Sequence, residues 1–154
     1  MTEQVLYGRG ITNIDAWLEA NMNDVESWNV LDDIEKAVYE LTSVIKNNWD
    51  TCIIVDCDVD GYTSSAILIN FLYSLYPEWV NEHLTYLHHT GKQHGLIDMR
   101  EIIPENTKLI ICPDSASNDY ICHEILKNHN VDCLILDHHE TDGGYSHNAI
   151  TINN

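Results

Sequence analysis

The chain has 154 residues, and its 7 Lys and Arg stand against 25 Asp and Glu, so the formal net charge is −18. Hydrophobic residues make up 44% of the sequence, which is enough to build a core and excludes a disordered chain. No segment reaches about 18 uninterrupted apolar residues, and the first residues lack an export signal. We therefore expect one globular domain over residues 1–154, in the cytoplasm and without a membrane span.

The charge and the cysteines narrow the kinds of site that the chain can carry. A net charge of −18 repels nucleic-acid backbones, so we expect binding to them only where cations line the site. No two cysteines form a Cys-x-x-Cys pair, and four of the five lie within or beside hydrophobic runs, where a thiol packs as a small apolar group. Disulfides and a structural zinc site are therefore not expected.

Helices and strands alternate along the chain. After an irregular start, apolar spacing predicts helices at Ile14–Ala20, Leu31–Ile45 (capped by Asn29), Tyr62–Tyr76 (ended by Pro77), Ile97–Ile103 and Asp119–Asn128. Short apolar runs predict strands at Thr51–Val55, Leu84–Leu87, Lys108–Cys112 and Cys133–Leu136. This alternation predicts an α/β fold, a doubly wound and mainly parallel sheet with helices on both faces.

Acidic residues follow three of the four predicted strands directly. They are Asp56, Asp58 and Asp60 after the first strand, Asp114 after the third, and Asp137 with His138 and His139 after the fourth. In a parallel sheet these side chains converge on one edge, where several carboxylates stay ionised only if cations lie between them. Ligands of such sheets bind at this same edge. The sequence therefore predicts a site for divalent metals.

The types of ligand indicate which metal. Carboxylates with one or two imidazoles and no thiolate favour manganese, with magnesium second, over zinc. Asp56, Asp58 and Asp60 alternate, so an extended backbone would put them on one face, with Gly61 allowing the turn into the next helix. Two metals about 3.5–4 Å apart could activate a water and stabilise an in-line attack on phosphorus.

At this point the motifs resemble a known family, the DHH phosphoesterases, and its RecJ-like branch in particular. Residues 56–61 (Asp-Cys-Asp-Val-Asp-Gly) resemble the first motif, residues 137–139 resemble the triplet that names the family, and Asp114 stands in the place of the second motif's Asp. Residues 148–153 are similar to the strand that follows the triplet. Ile54 replaces a metal-binding His of the other branches, which favours the RecJ-like branch. The resemblance implies hydrolysis of phosphodiester or phosphoanhydride bonds by a two-metal site, commonly with manganese.

The resemblance also implies a role for each site residue. The implied metal ligands are Asp56, Asp58, Asp60, Asp114 (bridging) and His138, and the implied catalytic set is Asp114, Asp137, His138 and His139. Asp137 would orient the histidines, and His139 would face the phosphate. His89 and His94 fall where relatives carry an arginine and a tyrosine, so we expect weaker, pH-dependent substrate contacts there.

Two departures from the family pattern bear on activity. Asp114-Ser115-Ala116 lacks the glycine of the family's Asp-x-Gly, and the chain ends 15 residues after His139, before any fourth-motif Asp or DHH-associated domain. We therefore expect residues 1–154 to form a DHH-type phosphoesterase domain that lacks the DHH-associated domain. A second domain or a protein partner would complete the site.

The leading interpretation is a RecJ-like exonuclease domain that hydrolyses single-stranded DNA with manganese. The alternatives are a phosphodiesterase for short oligonucleotides or cyclic dinucleotides, and a catalytically silent interaction module with the same fold. The sequence leaves open the choice between DNA and RNA, the polarity of cleavage, the oligomeric state, and whether the chain is active alone.

Overall fold

A computed structural model describes residues 2–25, 27–89, 91 and 94–153. The chain divides into two compact units, residues 1–30 and residues 31–154. The first unit contains helix α1 (Thr2–Gly8), helix α2 (Ile14–Leu18) and two 3-10 turns (Met22–Asp24 and Trp28–Val30). The predicted irregular start is thus wrong, since α1 forms with Glu3 in its first turn, where an acid favours a helix. That the whole chain is one DHH-type domain stays a prediction.

The second unit is built on a five-stranded sheet in which every pair of neighbours is parallel. Its strands are β1 (Thr51–Val55), β2 (Leu84–His88), β3 (Leu109–Pro113), β4 (Asp132–Asp137) and β5 (Ile150–Asn153), in the order β2-β1-β3-β4-β5. Its helices are α3 (Ile34–Lys46), α4 (Val59–Leu75), α5 (Pro77–His83) and α6 (Tyr120–Asn128). The predicted α/β fold is confirmed.

Helices cover both faces of this sheet because the central strands are apolar on both sides. The neighbours Ile53 and Ile54 of β1 are both fully buried, yet they belong to two different core clusters. One cluster packs α6 and residues 96–103 against the sheet, and the other packs α3, α4 and α5. Such strands read as continuous apolar runs in the sequence, which is why they were predictable. In the described part of the chain, no helix is long and apolar enough to cross a membrane.

Four cysteines lie buried in the first of these clusters: Cys52, Cys112, Cys122 and Cys133. Burial raises the pKa of Cys52 to about 11 and that of Cys133 to about 12. These thiols therefore stay protonated at neutral pH and pack as small apolar side chains.

Two local predictions are wrong. Residues 97–103 form successive turns instead of a helix, with the N–H groups of Met99 and Ile102 bonded to the carbonyls three residues earlier. Asn29 does not cap α3, which begins at Ile34 after Asp33 in left-handed backbone (φ 58°). The predicted stop at Pro77 is confirmed, since α4 ends at Leu75. Pro77 also begins the unpredicted helix α5, because the first turn of a helix accepts proline.

The sheet register brings one residue of each strand into a common row beyond the carboxyl ends. Asp137 of β4 pairs with Asn153 of β5. If the pairing of the other strands is continued by one to three residues past their ends, His89, Asp56 and Asp114 fall in the same row. A backbone hydrogen bond of 2.7 Å from Asp114 N–H to the carbonyl of Leu136 extends the ladder there. Chain order reverses between β1 and β3, which is where open parallel sheets bind ligands.

Candidate metal centre

The first acidic segment lies at the junction between β1 and α4. Asp56 is fully buried at the end of the strand. Asp58 caps α4 by accepting the Gly61 N–H at 3.1 Å, and this hydrogen bond lowers the pKa of Asp58. Because α4 begins at Val59, the predicted extended backbone is wrong, and Asp60 lies in the first helical turn.

Gly61 allows α4 to approach the strand end closely. A Cβ at this position would lie 2.6 Å from Asp56 Cβ and 2.9 Å from both Asp56 Cα and its carbonyl carbon. Its backbone is helical, so the predicted reason for glycine, a sharp turn, is wrong. The absence of a side chain lets the helix N-terminus sit against Asp56.

Asp114 occupies the end of β3 in left-handed backbone (φ 74°) and is almost completely buried. Its Oδ1 lies 3.0 Å from Nε2 of His138, and its Oδ2 has no hydrogen-bond donor in the described part of the chain. Burial, and then the negative charges of Asp60 and Asp58, raise the pKa of Asp114. His138 and His139 lower the pKa, but their effect is smaller than the combined effect of burial and the two acids.

Ala116 stands where the family pattern has glycine, and its backbone is also left-handed (φ 79°). An L side chain in this conformation costs about 1 kcal/mol. The methyl group of Ala116 packs in the core, which returns about 0.8 kcal/mol. The loop after Asp114 thus keeps a glycine-like backbone, with alanine offsetting most of the strain through burial.

Asp137 organises the histidine triplet through hydrogen bonds. Its Oδ1 accepts the backbone N–H of His138 (2.7 Å) and of His139 (3.2 Å) and the Nδ1–H of His139 (2.7 Å), and its Oδ2 accepts the Ser117 N–H (3.1 Å). Burial opposes ionisation, but these hydrogen bonds outweigh it and lower the pKa of Asp137 to about 2. The same contact raises the pKa of His139. The Nδ1 of His139 is thus committed to Asp137.

The described side chains form three groups whose ligand atoms lie within 4.8 Å of one another. The groups are Asp56 with Asp58 and Asp114, Asp114 with His138 and His139, and Asp56 with Cys57 and His94. Asp114 belongs to the first two, and Asp60 belongs to none. Asp56 Oδ1 and Asp114 Oδ2 are buried without a donor, a state that a bound cation would relieve. Carboxylate oxygens of this kind, together with imidazole nitrogens, fit manganese or magnesium.

The two other predicted substrate contacts differ in exposure. His94 is exposed and donates from Nδ1 to Asp56 Oδ2 at 2.7 Å. His89 is buried (4% exposed), and neither ring nitrogen has a partner among the described residues. In the same loop, Thr90, Lys92 and Gln93 lie outside the described residues.

Sequence reasoning missed three residues that take part in this edge. Asn153 donates from Nδ2 to the backbone carbonyl of His139 (2.9 Å) and to Ser117 Oγ (3.0 Å), which ties β5 to the triplet. Ser117 also donates its N–H to Asp137. Cys57 lies beside His94. The family resemblance put Asn153 in a strand, but only the sheet register places it beside the triplet. Cys57 was visible in the sequence as the residue between Asp56 and Asp58.

A cavity of about 570 Å³ opens beside the triplet. Asp137, His139 and His94 line it together with residues 115–119, Gly95 and Glu140. None of these described lining residues is Lys or Arg, and three of them (Asp119, Asp137 and Glu140) are acidic. An anion that enters the cavity would therefore depend on histidines and bound cations for positive charge.

Comparisons with known proteins point in one direction. The model of the DHH family, N-terminal domain, matches residues 50–154. The "Putative SPbeta prophage-derived single-strand DNA-specific exonuclease YorK" of Bacillus subtilis (strain 168) is 34% identical over 150 residues, which cover 97% of this chain and 25% of that protein. The corresponding protein of Bacillus phage SPbeta gives the same values. The chain thus spans about a quarter of these curated relatives.

Solved structures share the fold. A crystal structure of exonuclease RecJ bound to manganese has a TM-score of 0.68 at 17% identity, covering 80% of this chain and 31% of that one. RecJ from Thermus thermophilus in complex with Mn²⁺ also has a TM-score of 0.68, at 16% identity, covering 96% of this chain and 20% of that one.

Proposed function

Because this chain belongs to the DHH family, we propose that its acidic sheet edge binds two manganese ions and hydrolyses phosphodiester bonds in single-stranded nucleic acid. The observation that carries the proposal is Asp114, whose carboxylate is shared by two neighbouring ligand groups and has a buried oxygen without a donor among the described residues. The name of the curated relative, which refers to single-strand DNA, supports the choice of substrate. A further domain or partner would extend the cleft along a longer strand, in line with the coverage of the relatives, while the residues proposed to hold the ions all lie in this chain.

The proposed ligands divide between the two ions. Asp56, Asp58 and Asp114 would hold one ion, and Asp114 and His138 would hold the other. Asp60 would add negative charge beside them, consistent with its effect on the pKa of Asp114. Magnesium could occupy the same oxygen-rich set, but we expect manganese to be preferred because the set includes a histidine.

The protein's own residues position the reactants. Paired divalent ions, when bound, supply Lewis-acid charge and lower the pKa of water. Asp137 holds the His139 ring by Nδ1, which leaves Nε2 to donate to a phosphate oxygen. Asn153 fixes the backbone of the same histidine. Phosphate oxygens would thus meet an oriented donor beside the ions.

A second candidate substrate is a short oligonucleotide or a dinucleotide. The cavity beside the triplet holds about 570 Å³ and its described lining carries no Lys or Arg. A long polyanion needs a run of positive charges along its path. A short substrate needs only the ions and the few donors at this edge.

We expect the purified chain to cleave labelled single-stranded DNA in the presence of manganese, and to leave the matching duplex intact. The assay includes single-stranded RNA, a dinucleotide and a cyclic dinucleotide, and gel or chromatographic analysis follows the products. Removal of the metal by EDTA should stop hydrolysis, since no described side chain replaces its charge.

Cleavage confined to the dinucleotides would select the second candidate and reject the first. If neither manganese nor magnesium supports hydrolysis of any substrate, the proposed function is wrong for this chain, and the interaction module becomes the better interpretation.

A positioning role is expected for Asp137. In Asp137→Asn, the new amide NH₂ group would face a group that is itself a donor. That group is either the Ser117 N–H or the His139 ring. An unsatisfied buried donor costs about 1–3 kcal/mol, and loss of such an orienting partner lowers activity or metal affinity about 10–100-fold. Urea unfolding would measure the loss of stability, and separate values of kcat and KM would measure the loss of activity.

The matched control is Asp132→Asn, which removes an acid from the other end of β4, where Asp132 pairs with Lys127. It should leave kcat unchanged. Equal losses of kcat in both variants would contradict the positioning role.

A further inference from the structure

A thiol lies beside the acidic edge, in the third of the three ligand groups. Cys57 Sγ is 3.8 Å from Nδ1 and 3.7 Å from Nε2 of His94, although the two residues are 37 positions apart. The same His94 Nδ1 lies 2.7 Å from Asp56 Oδ2. We propose that Cys57, His94 and Asp56 form a further site, adjoining the carboxylate group, for a thiol-preferring divalent cation of the zinc class.

The distances suit tetrahedral coordination. With metal–sulfur and metal–nitrogen bonds of about 2.3 and 2.0 Å, the sulfur and nitrogen ligands of a tetrahedral ion lie roughly 3.5 Å apart. Only one nitrogen of the ring can bind the ion, and Nδ1 is the one that also faces Asp56. The 3.8 Å separation of Cys57 Sγ from His94 Nδ1 is within a few tenths of an ångström of this value. The shorter contact between His94 and Asp56 is a hydrogen bond that an ion would replace, with release of the proton.

The burial of Asp56, which also supports the neighbouring carboxylate group, is a second sign that a cation belongs at this end of the strand. Its side chain has no exposed surface, and Oδ1 has no donor in the described residues even though Oδ2 accepts from His94. A buried carboxylate with one unsatisfied oxygen is costly unless a positive charge lies beside it.

The ligand set separates this site from the neighbouring one. The group of Asp56, Asp58 and Asp114 offers only carboxylate oxygens, which suit manganese or magnesium. Cys57 and His94 add a soft sulfur and an imidazole, which favour zinc over manganese. Three protein ligands leave a fourth tetrahedral position for water, as in open zinc sites. The two groups share Asp56, but the zinc-class site stands whether or not the chain is a nuclease.

Cobalt(II) is the probe, because a cobalt–thiolate bond gives a charge-transfer absorption band that oxygen and nitrogen ligands do not give. Titration of the reduced, full chain should produce this band, and one equivalent of zinc should remove it. Cys57→Ser should abolish the band. Asp58→Asn, which alters only the carboxylate group, and Cys122→Ser, which alters a core thiol, should both retain it.

Thermal unfolding of each variant without metal shows whether it is folded. If Cys57→Ser does not fold, His94→Asn provides the second test, because this exposed ring can be replaced without disturbing the core, and it should weaken cobalt binding at least tenfold. Absence of the band in the wild-type chain, or its survival in Cys57→Ser, would overturn the proposal. A failed nuclease assay would not affect this result.

Discussion

On the proposed function, replacing Asp114 with Asn should lower manganese-dependent hydrolysis by about a thousandfold, because its carboxylate would bridge the two ions and contribute several kcal/mol through them. The same variant without metal should be at least as stable as the wild type. The Asp114 side chain is buried beside the negative charges of Asp58 and Asp60, and a neutral amide removes that repulsion. Asparagine also tolerates the left-handed backbone (φ 74°) at this position.

Two measurements separate these effects. Initial rates on labelled single strands report catalysis, and thermal unfolding with and without manganese reports folding and binding. The wild type should gain about 2.7 kcal/mol of stability when manganese is at a hundred times its dissociation constant, whereas Asp114→Asn should gain far less.

Asp98→Asn is the matched control, since Asp98 is exposed and lies outside every ligand group found among the described residues. It should keep both the activity and the stabilisation by manganese. An Asp114→Asn protein that still hydrolyses the substrate at a wild-type rate would show that Asp114 holds no ion.

Gly61→Ala should destabilise the fold by about 3 kcal/mol, the upper part of the range for overpacking a core. The added methyl would lie 2.6 Å from Asp56 Cβ and 2.9 Å from two Asp56 backbone atoms, and backbone cannot move aside as the end of a flexible side chain can. Helix α4 would have to shift away from β1. That shift would move Asp58, whose carboxylate is held by the Gly61 N–H, away from Asp56.

Urea unfolding measures the loss of stability, and manganese titration followed by thermal unfolding measures the loss of affinity. Gly8→Ala adds the same methyl in helix α1, where no atom lies within 4 Å of the new Cβ. It should gain about 0.5 kcal/mol, because alanine loses less backbone entropy in a helix. Equal stabilities of the two variants would show that Gly61 is not needed for close packing.

The three central strands, β1, β3 and β4, could be predicted because each contains a short, buried apolar run. Thr51–Val55 matches its observed strand at both ends, since all five residues are buried. Helix starts were harder to predict. The Asp58 side chain caps the start of α4 by accepting the Gly61 N–H, but the sequence of residues 58–61 is also typical of a loop with alternating acids. The turns at residues 97–103 carry apolar residues at helical spacing because they pack on the sheet.

The sequence could predict which acids belong to the site, but not which of them contact one another. Strand order decides that Asp56 and Asp114 meet, and no local pattern contains that order. The role of Asn153 at the triplet depends on β5 joining β4 in a particular register. The contact between Cys57 and His94 depends on a loop 37 residues away, so a sequence motif could not pair them.

Backbone pairing between the strands places the residues of the metal centre in one row. The row consists of His89, Asp56, Asp114, Asp137 and Asn153. Main-chain hydrogen bonds fix which residue of each strand stands in the row, and substitutions on the outer surfaces of the helices do not alter that choice. Gain or loss of one residue inside a strand would instead move an acid to the opposite face of the sheet. Evolution can therefore exchange most of the exterior freely while strand lengths stay constrained.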